Sequence, residues 1–323
     1  MLPSFAYLRA TTLAEAVRHL DRPDACLHAG GTDLLGCLRD GVLAPATVVS
    51  LAALAELKGV QETADGGVRV GAMTTLAELS ENPAIRSRYP LLAQAAAAVG
   101  SPQLRNQGTV GGNLCQKPRC WYYRGQFQCA RKGGDRCFAV GGENQFHCIF
   151  GGETCVYVHP SDAAPAMVAL EATFRLMGPR GERRVAAGEF FVPPAEDFTR
   201  ETVVEKGEIL ADVLLPPLRP GARSAYRKVR TRGAWDFALA GVAAVVEVEH
   251  GVVARARIVL SGVAPVPWRV RAAEEVVLGK RLDAATAARA GEAATRGARP
   301  LSRNGYKVAL VRGVVEETLL SLA

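Results

Sequence analysis

No two glycines in these 323 residues are separated by a single residue. The dinucleotide fingerprint G-x-G-x-x-G therefore cannot occur, and a Rossmann-type nucleotide site is excluded. The patterns G-x4-G-K-[ST], H-E-x-x-H and G-x-S-x-G are missing as well, which removes the sequence basis for P-loop, zincin and hydrolase-elbow chemistry. Aromatic residues are scarce, at 6%, and the formal charge of +7 from 39 basic and 32 acidic side chains is modest for the length. No basic-plus-aromatic surface stands out, so no nucleic-acid partner is expected. The longest uncharged stretch, residues 89–104, holds two prolines and two glutamines. It falls short of the roughly 18 apolar residues of a membrane span, and no transmembrane helix is expected. The opening Met1-Leu-Pro-Ser-Phe-Ala-Tyr-Leu-Arg lacks a basic n-region, an apolar h-region and a small-residue cleavage site. The chain is thus expected to carry no export signal of its own, and to be cytoplasmic, or periplasmic if co-exported with a partner.

What is present is apolar and unevenly distributed. With 49% apolar residues the chain can build about two domains with real cores. Six of the eight cysteines (Cys115, Cys120, Cys129, Cys137, Cys148, Cys155) fall within 41 positions. A secreted disulfide knot would show this density, but the rest of the chain is large enough to fold on its own core. Zinc usually takes paired ligands such as C-x2-C, whereas Cys120-x8-Cys129-x7-Cys137 contains no such pair. An iron–sulfur cube is wider and accepts four thiolates from separated turns. Glycines at 125, 133, 134, 141, 142, 151 and 152 supply the turns, and they allow backbone amides to approach sulfur. Lys117, Arg119, Arg124, Arg131, Lys132 and Arg136 are opposed within their segment only by Asp135, so something anionic or acidic is expected beside them.

Thr12-x-x-Glu15 and Thr75-x-x-Glu78 read as capping boxes opening helices. Residues 26–34 read as strand, tight diglycine loop and helix, residues 48–51 and 68–72 as strands, and residues 91–99 as a helix begun by Pro90. A second diglycine loop follows at 103–114, then the cysteine-rich insert. Val156 to Val158 is expected to return to strand, Ser161-Asp162 to cap a helix over 163–170, and residues 178–184 to turn. A strand over 208–215 ends at Pro216-Pro217, and with Pro220-Gly221 behind it this is the best domain boundary. Residues 225–229, 237–249 and 252–262 read as strands and a buried apolar element, and the chain then ends in helices. A final helix places Val308, Val311, Val315, Leu319 and Leu322 on one face.

Two diglycine segments, Gly30-Gly31-Thr32-Asp33 and Gly111-Gly112-Asn113, are the candidate phosphate cradles, because consecutive bare N–H groups can line a nest for a diphosphate. Ala29-Gly-Gly-Thr-Asp33, Gln103-Leu-Arg-Asn-Gln-Gly-Thr-Val-Gly-Gly-Asn113, Pro160-Ser-Asp162 and Tyr226-Arg-Lys-Val-Arg230 occur in this order. As a set they resemble the FAD-binding medium subunits of molybdenum hydroxylases, the family of carbon monoxide dehydrogenase, xanthine dehydrogenase and bacterial aldehyde oxidoreductase flavoproteins. A subset of that family carries an insert binding a [4Fe-4S] cluster. Arg119-Cys-Trp-Tyr-Tyr-Arg124, and Cys155 just ahead of His159-Pro-Ser-Asp162, resemble the periplasmic-type aldehyde oxidoreductase version of it.

The resemblance implies an α+β fold. A PCMH-type FAD-binding domain would cover residues 1–218, with subdomains of about 1–55 and 56–218 and the insert at 115–155. A small α+β domain of the CO dehydrogenase flavoprotein type would follow over 219–323. It implies that Leu27, Ala29, Gly30, Gly31, Thr32, Asp33 and Leu34 wrap the FAD diphosphate, and that Thr109, Gly111, Gly112 and Asn113 hold the flavin side. Asp162 would bind the adenosine ribose or nearby hydroxyls, Ile209 or Leu210 the adenine, and Lys228 the cofactor's outer edge. An amine there could also stabilise a reduced flavin's negative charge. Cys120, Cys129, Cys137 and Cys155 match the cluster pattern, with Cys148 the rival to Cys155. Cys115, Cys26 and Cys37 read as packing residues, and His28 and His159 as loop hydrogen-bonders. Trp121, Tyr122, Tyr123 and Trp235 are expected to pack or to shield a cofactor.

The implied role is that of an oxidoreductase subunit with no catalytic side chain, its redox chemistry residing on FAD. Electrons would come from a large molybdenum-cofactor partner through two [2Fe-2S] clusters of a small partner, and leave to an external acceptor. Two alternatives stand beside it: the beta subunit of a 4-hydroxybenzoyl-CoA reductase-like enzyme with inward electron flow, and a non-catalytic iron–sulfur scaffold that has lost FAD.

Overall fold

A computed structural model describes residues 2–219 and 221–323; Met1 and Pro220, the latter part of the expected boundary, lie outside the described residues. The fold is α+β and built on three sheets. The first is parallel and small, with strands β1 (Ala6–Arg9), β2 (Ala25–His28) and β3 (Thr47–Ser50) in the order β1-β3-β2. Its connections are the helices Leu13–Leu20 and Leu34–Arg39, as parallel neighbours require.

The second sheet is antiparallel: β4 (Val60–Glu62), β5 (Val68–Gly71), β6 (Thr173–Gly178), β7 (Gly181–Ala186) and β8 (Ile209–Leu215), ordered β4-β5-β8-β6-β7. Helices Pro90–Ala97 and Ala163–Ala169 cover one face, and the core between them holds Leu91, Leu92, Met167, Phe174 and Val213. The third sheet, β9 (Ala222–Val229), β10 (Ala240–Glu249), β11 (Val252–Ser261) and β12 (Trp268–Arg269), is an antiparallel meander backed by helices Arg271–Val277, Ala284–Ala293 and Tyr306–Leu320. Tyr226, Ala243, Val245 and Val259 of this sheet join the core of the second, so the two units share apolar packing.

Several local expectations are corrected. Thr12 does cap its helix, accepting from Glu15 N (3.1 Å), but Glu15 reaches back to Thr11 N (2.7 Å) and not to Thr12. The reciprocal box forms only at Thr75 and Glu78. The second diglycine is not a loop after a strand. Thr109 Oγ accepts from Gly112 N (3.2 Å) and so starts a short helix, Val110–Leu114, that contains both glycines. Val156 to Val158 forms no strand; its link to the insert is Cys148 N donating to Val156 O (3.0 Å). The turn expected over 178–184 closes by Gly181, whose φ of +98° allows a tight hairpin, and the rest of it is β7. On the last helix Val311, Val315 and Leu319 are buried as expected, but Val308 is only half-buried, and Lys307 is fully buried beside them.

Among the described residues no helix is long and apolar enough to cross a membrane. The insert is held at its far end by the last domain. Ile149 and Phe150 N–H donate to Val263 O (2.9 and 3.1 Å), and Asn304 donates to the carbonyls of His147 and Cys148 (3.1 and 3.0 Å).

Candidate functional site

A cleft of about 470 Å³, a size typical of ligand clefts, opens between the first two sheets, the start of the insert and the connection from β9 to β10. The strand β2 ends at its wall and delivers residues 29–34. From the opposite side come the first turn of Val110–Leu114, Asp162 at the head of Ala163–Ala169, and Ile209 and Leu210 at the start of β8. Leu27, Ala29, Gly30, Gly31, Thr32, Asp33, Leu34, Thr109, Gly111, Gly112, Asn113, Asp162, Ile209 and Leu210 thus line one space.

Each glycine is required for a different reason. A Cβ on Gly30 would collide with the backbone carbonyl of Gln107, so the first loop lies flat against the turn before Thr109. Gly31 sits at φ +74°, a conformation side chains resist. A Cβ on Gly111 would press on Ala72 at 2.9 Å, whereas one on Gly112 would meet only the Thr109 hydroxyl, so Gly112 leaves bare backbone facing the cleft. This cradle, polar at its glycine turns and apolar along Leu27, Ile209 and Leu210, fits an extended cofactor with an anionic middle.

Lys228 is the exception among the expected FAD-binding residues, because it stands behind the wall. Its ammonium donates to Asp162 Oδ2 (2.7 Å) and Ala98 O (3.0 Å) and is almost fully buried. Tyr226 donates to the other Asp162 oxygen (2.7 Å). Burial pushes the Asp162 carboxyl's pKa up, with Lys228 and Tyr226 working against that rise. Asn113 Oδ1 accepts from Ser161 Oγ (2.5 Å), which in turn accepts from Ala164 N (3.0 Å), so Ser161 and not Asp162 caps the helix.

Among the residues that sequence reasoning left without a role on the cleft wall are Lys117, Arg119, Glu201 and Phe237, whereas Trp235, expected to pack or to shield a cofactor, does stand there. The basic run of the insert was the available signal, and its acidic counterparts are internal. Asp33 takes Lys117 N–H (2.8 Å) on one oxygen and the guanidinium groups of Arg119 (2.6 Å) and Arg124 (2.8 Å) on the other. Buried Glu201 joins Lys117 (2.6 Å) to Arg131. Trp235, at φ +55°, donates its N–H to Gly100 O (2.9 Å) at the cleft and leaves its ring exposed.

The insert builds a second, small cavity, lined by Cys120, Cys129, Cys137 and Cys155 together with Tyr122, Tyr123, Arg131, Phe138 and Tyr157. Cys120 precedes the turn Trp121–Arg124. Cys129 and Cys137 are drawn together by a tight turn in which Ala130 N bonds Arg136 O (2.9 Å) and Gly134 N bonds Cys129 O (3.0 Å). All eight cysteines are free thiols. Burial pushes Cys120 and Cys155 up to about 11. His147 Nε2 lies 3.3 Å from Cys120 Sγ. Among the described residues no three His, Cys, Asp or Glu side chains are placed to hold a single metal ion. The four cysteines instead line one small cavity. Cys148 is outside that space, packed with Tyr122, Ala139 and Val156. Trp121 is outside it too, edge-on to Phe146 and His147.

Cys26, Cys37 and Cys115 line the large cleft as protonated thiols, raised by burial to about 11, 11 and 12. His159 accepts a long hydrogen bond from Ser161 N (3.4 Å), and His28 sits edge-on to Tyr7.

Comparison with known proteins bears on the large cleft. Residues 3–218 match the FAD binding domain in molybdopterin dehydrogenase, and residues 224–322 match the CO dehydrogenase flavoprotein C-terminal domain. The aldehyde oxidoreductase FAD-binding subunit PaoB of Escherichia coli K12 is 36% identical over 278 residues, covering 84% of this chain and 86% of that protein. The carbon monoxide dehydrogenase medium chain of Hydrogenophaga pseudoflava is 29% identical over 98% of this chain and 96% of its own length. Carbon monoxide dehydrogenase from H. pseudoflava superposes with a TM-score of 0.79 at 31% identity, covering 99% of this chain and 97% of that one. Quinoline 2-oxidoreductase from Pseudomonas putida 86 does so at 0.78 and 27% identity, covering 100% and 98%.

Proposed function

The chain belongs to the FAD-binding medium-subunit family of molybdenum-dependent dehydrogenases, and on that premise we propose that it is the electron-transfer flavoprotein of an aldehyde-oxidising or related complex. The observation that carries this reading is the one cleft shared by both diglycine segments, Asp162 and the start of β8. FAD held there would accept electrons one or two at a time and release them to an external acceptor. Gly30, Gly31 and Thr32 would offer backbone amides to its diphosphate, Thr109 and Gly111 to Asn113 would border its flavin side, and Asp162 would accept from a hydroxyl. Ile209 and Leu210 would pack on the adenine and exclude water. Lys228, by its pairing, would orient Asp162 and not touch the cofactor.

The reading extends to a [4Fe-4S] cluster held by Cys120, Cys129, Cys137 and Cys155, supported by their convergence as free thiols on one cavity with Arg131 beside them. A large molybdenum-cofactor subunit and a small subunit with two [2Fe-2S] clusters would complete the complex, as the medium-chain relatives suggest. A division of the chain near residue 218, with a boundary near residue 55 between the first two sheets, belongs to the same proposal. Flavin and iron stoichiometry of the anaerobically purified full chain tests it. About one FAD and about four irons per chain are expected. FAD without iron would remove the cluster, and iron without FAD would leave a scaffold.

A further inference from the structure

We propose that Asp33 is the joint through which the cysteine insert holds the diphosphate loop in its binding shape, so that filling the four-thiol cavity and retaining FAD are linked. The inference rests on the reading of both cavities given above. Asp33 follows the Gly30-Gly31-Thr32 turn directly and occupies the N-cap position of helix Leu34–Arg39, yet its side chain caps nothing. An aspartate there ordinarily accepts from the helix's own N–H groups. Here the carboxylate turns to the insert, where Lys117 N–H and the guanidinium groups of Arg119 and Arg124 all converge on it.

Those two arginines are the residues that flank Cys120. Arg119 is its chain neighbour. Arg124 closes the helical turn that starts at Cys120, with its N–H on Cys120 O (2.9 Å) and its Nε on Pro118 O (2.9 Å). The position of Cys120 and the grip on Asp33 are therefore set by one short piece of backbone. A second strut runs in parallel: Arg131, on the wall of the thiol cavity and two residues from Cys129, holds Glu201, which lines the FAD cleft and also binds Lys117.

Charge gives the linkage its sign. An unclamped carboxylate at the end of a diphosphate cradle repels an anionic ligand. Clamped by two guanidinium groups it becomes part of a locally positive site. Ordering of the insert around its cluster should therefore favour FAD, and by reciprocity FAD should favour the cluster.

The experiment measures FAD affinity, by flavin fluorescence, on the full chain in two preparations: reconstituted with iron and sulfide, and stripped by a chelator. In the wild type, stripping should weaken FAD binding about tenfold or more. Arg124→Gln, at a residue that does not line the cleft, should weaken FAD binding with iron still present and make it insensitive to iron. Asp33→Asn, which keeps the side chain's volume but removes the charge that the arginines grip, should likewise make FAD binding insensitive to iron, and circular dichroism identifies either variant that fails to fold. Equal FAD affinity with and without iron in the wild type overturns the linkage. So does an Arg124→Gln protein with wild-type affinity and iron dependence. A chain that takes up no iron overturns the cluster reading and the linkage with it, whereas iron uptake without an effect on FAD removes the linkage alone.

Discussion

Lys228 and Asp162 form a buried ion pair at 2.7 Å between β9 and the head of helix Ala163–Ala169, with Tyr226 completing the carboxylate's partners. It ties the third sheet to the cleft wall. Breaking a buried pair from one side leaves the other charge without a partner, at a cost of about 3–5 kcal/mol. Lys228→Met should lower the unfolding free energy of the full chain by that order in urea titration. Loss under about 1 kcal/mol would mean that Tyr226 alone suffices to hold Asp162.

His159 supplies a pH dependence. Burial lowers its pKa from 6.5 to about 4, so it stays neutral in the folded protein while the unfolded chain binds a proton below pH 6.5. The unfolded state then holds more protons between these values, and stability falls as pH falls from about 6.5 to about 4. The slope from this one group approaches about 1.4 kcal/mol per pH unit. Urea unfolding at several pH values should show a shallower slope in His159→Gln.

The two rival cysteines separate in a direct assay. Cys155→Ser should lower the iron content of the reconstituted chain, because Cys155 lines the thiol cavity with Cys120, Cys129 and Cys137. Cys148→Ser should keep its iron, because Cys148 is buried and does not line that cavity. The reverse pattern would exchange the two residues in the ligand set.

Gly30→Ala should empty the large cleft of FAD, since even a methyl group meets the Gln107 carbonyl and forces the first loop away from the second. Thr109→Ala should act more mildly. It removes the cap on Gly112 N and costs about 1 kcal/mol, while FAD binding weakens without being lost. Flavin absorbance per chain after gel filtration checks both. Full flavin content in the Gly30→Ala protein would detach this glycine from the site.

The parts of this protein written in local sequence were legible from it. The Thr75 and Glu78 capping box, the diglycine turn after β2 and the strands of the third sheet each depend on residues a few positions apart, whose backbone preferences act before any long-range contact forms. The ordered motifs likewise identified the family, and residues from them line the cleft. Other features required chain segments separated by tens of residues. Asp33 is 91 positions from Arg124, Asp162 is 66 from Lys228, and Arg131 is 70 from Glu201. Each of these charges reads in the sequence as a free surface group or a ligand contact. Folding buries them, and a buried charge must find an opposite charge wherever the topology brings one within reach. The same reason sets Cys148 apart: chain spacing leaves five thiols equivalent, and the fold puts Cys120, Cys129, Cys137 and Cys155 on one cavity and Cys148 off it. Sequence alone determined which family the chain belongs to; the tertiary structure decided which charges and thiols face each other, because pairing energy depends on distance in space and not along the chain.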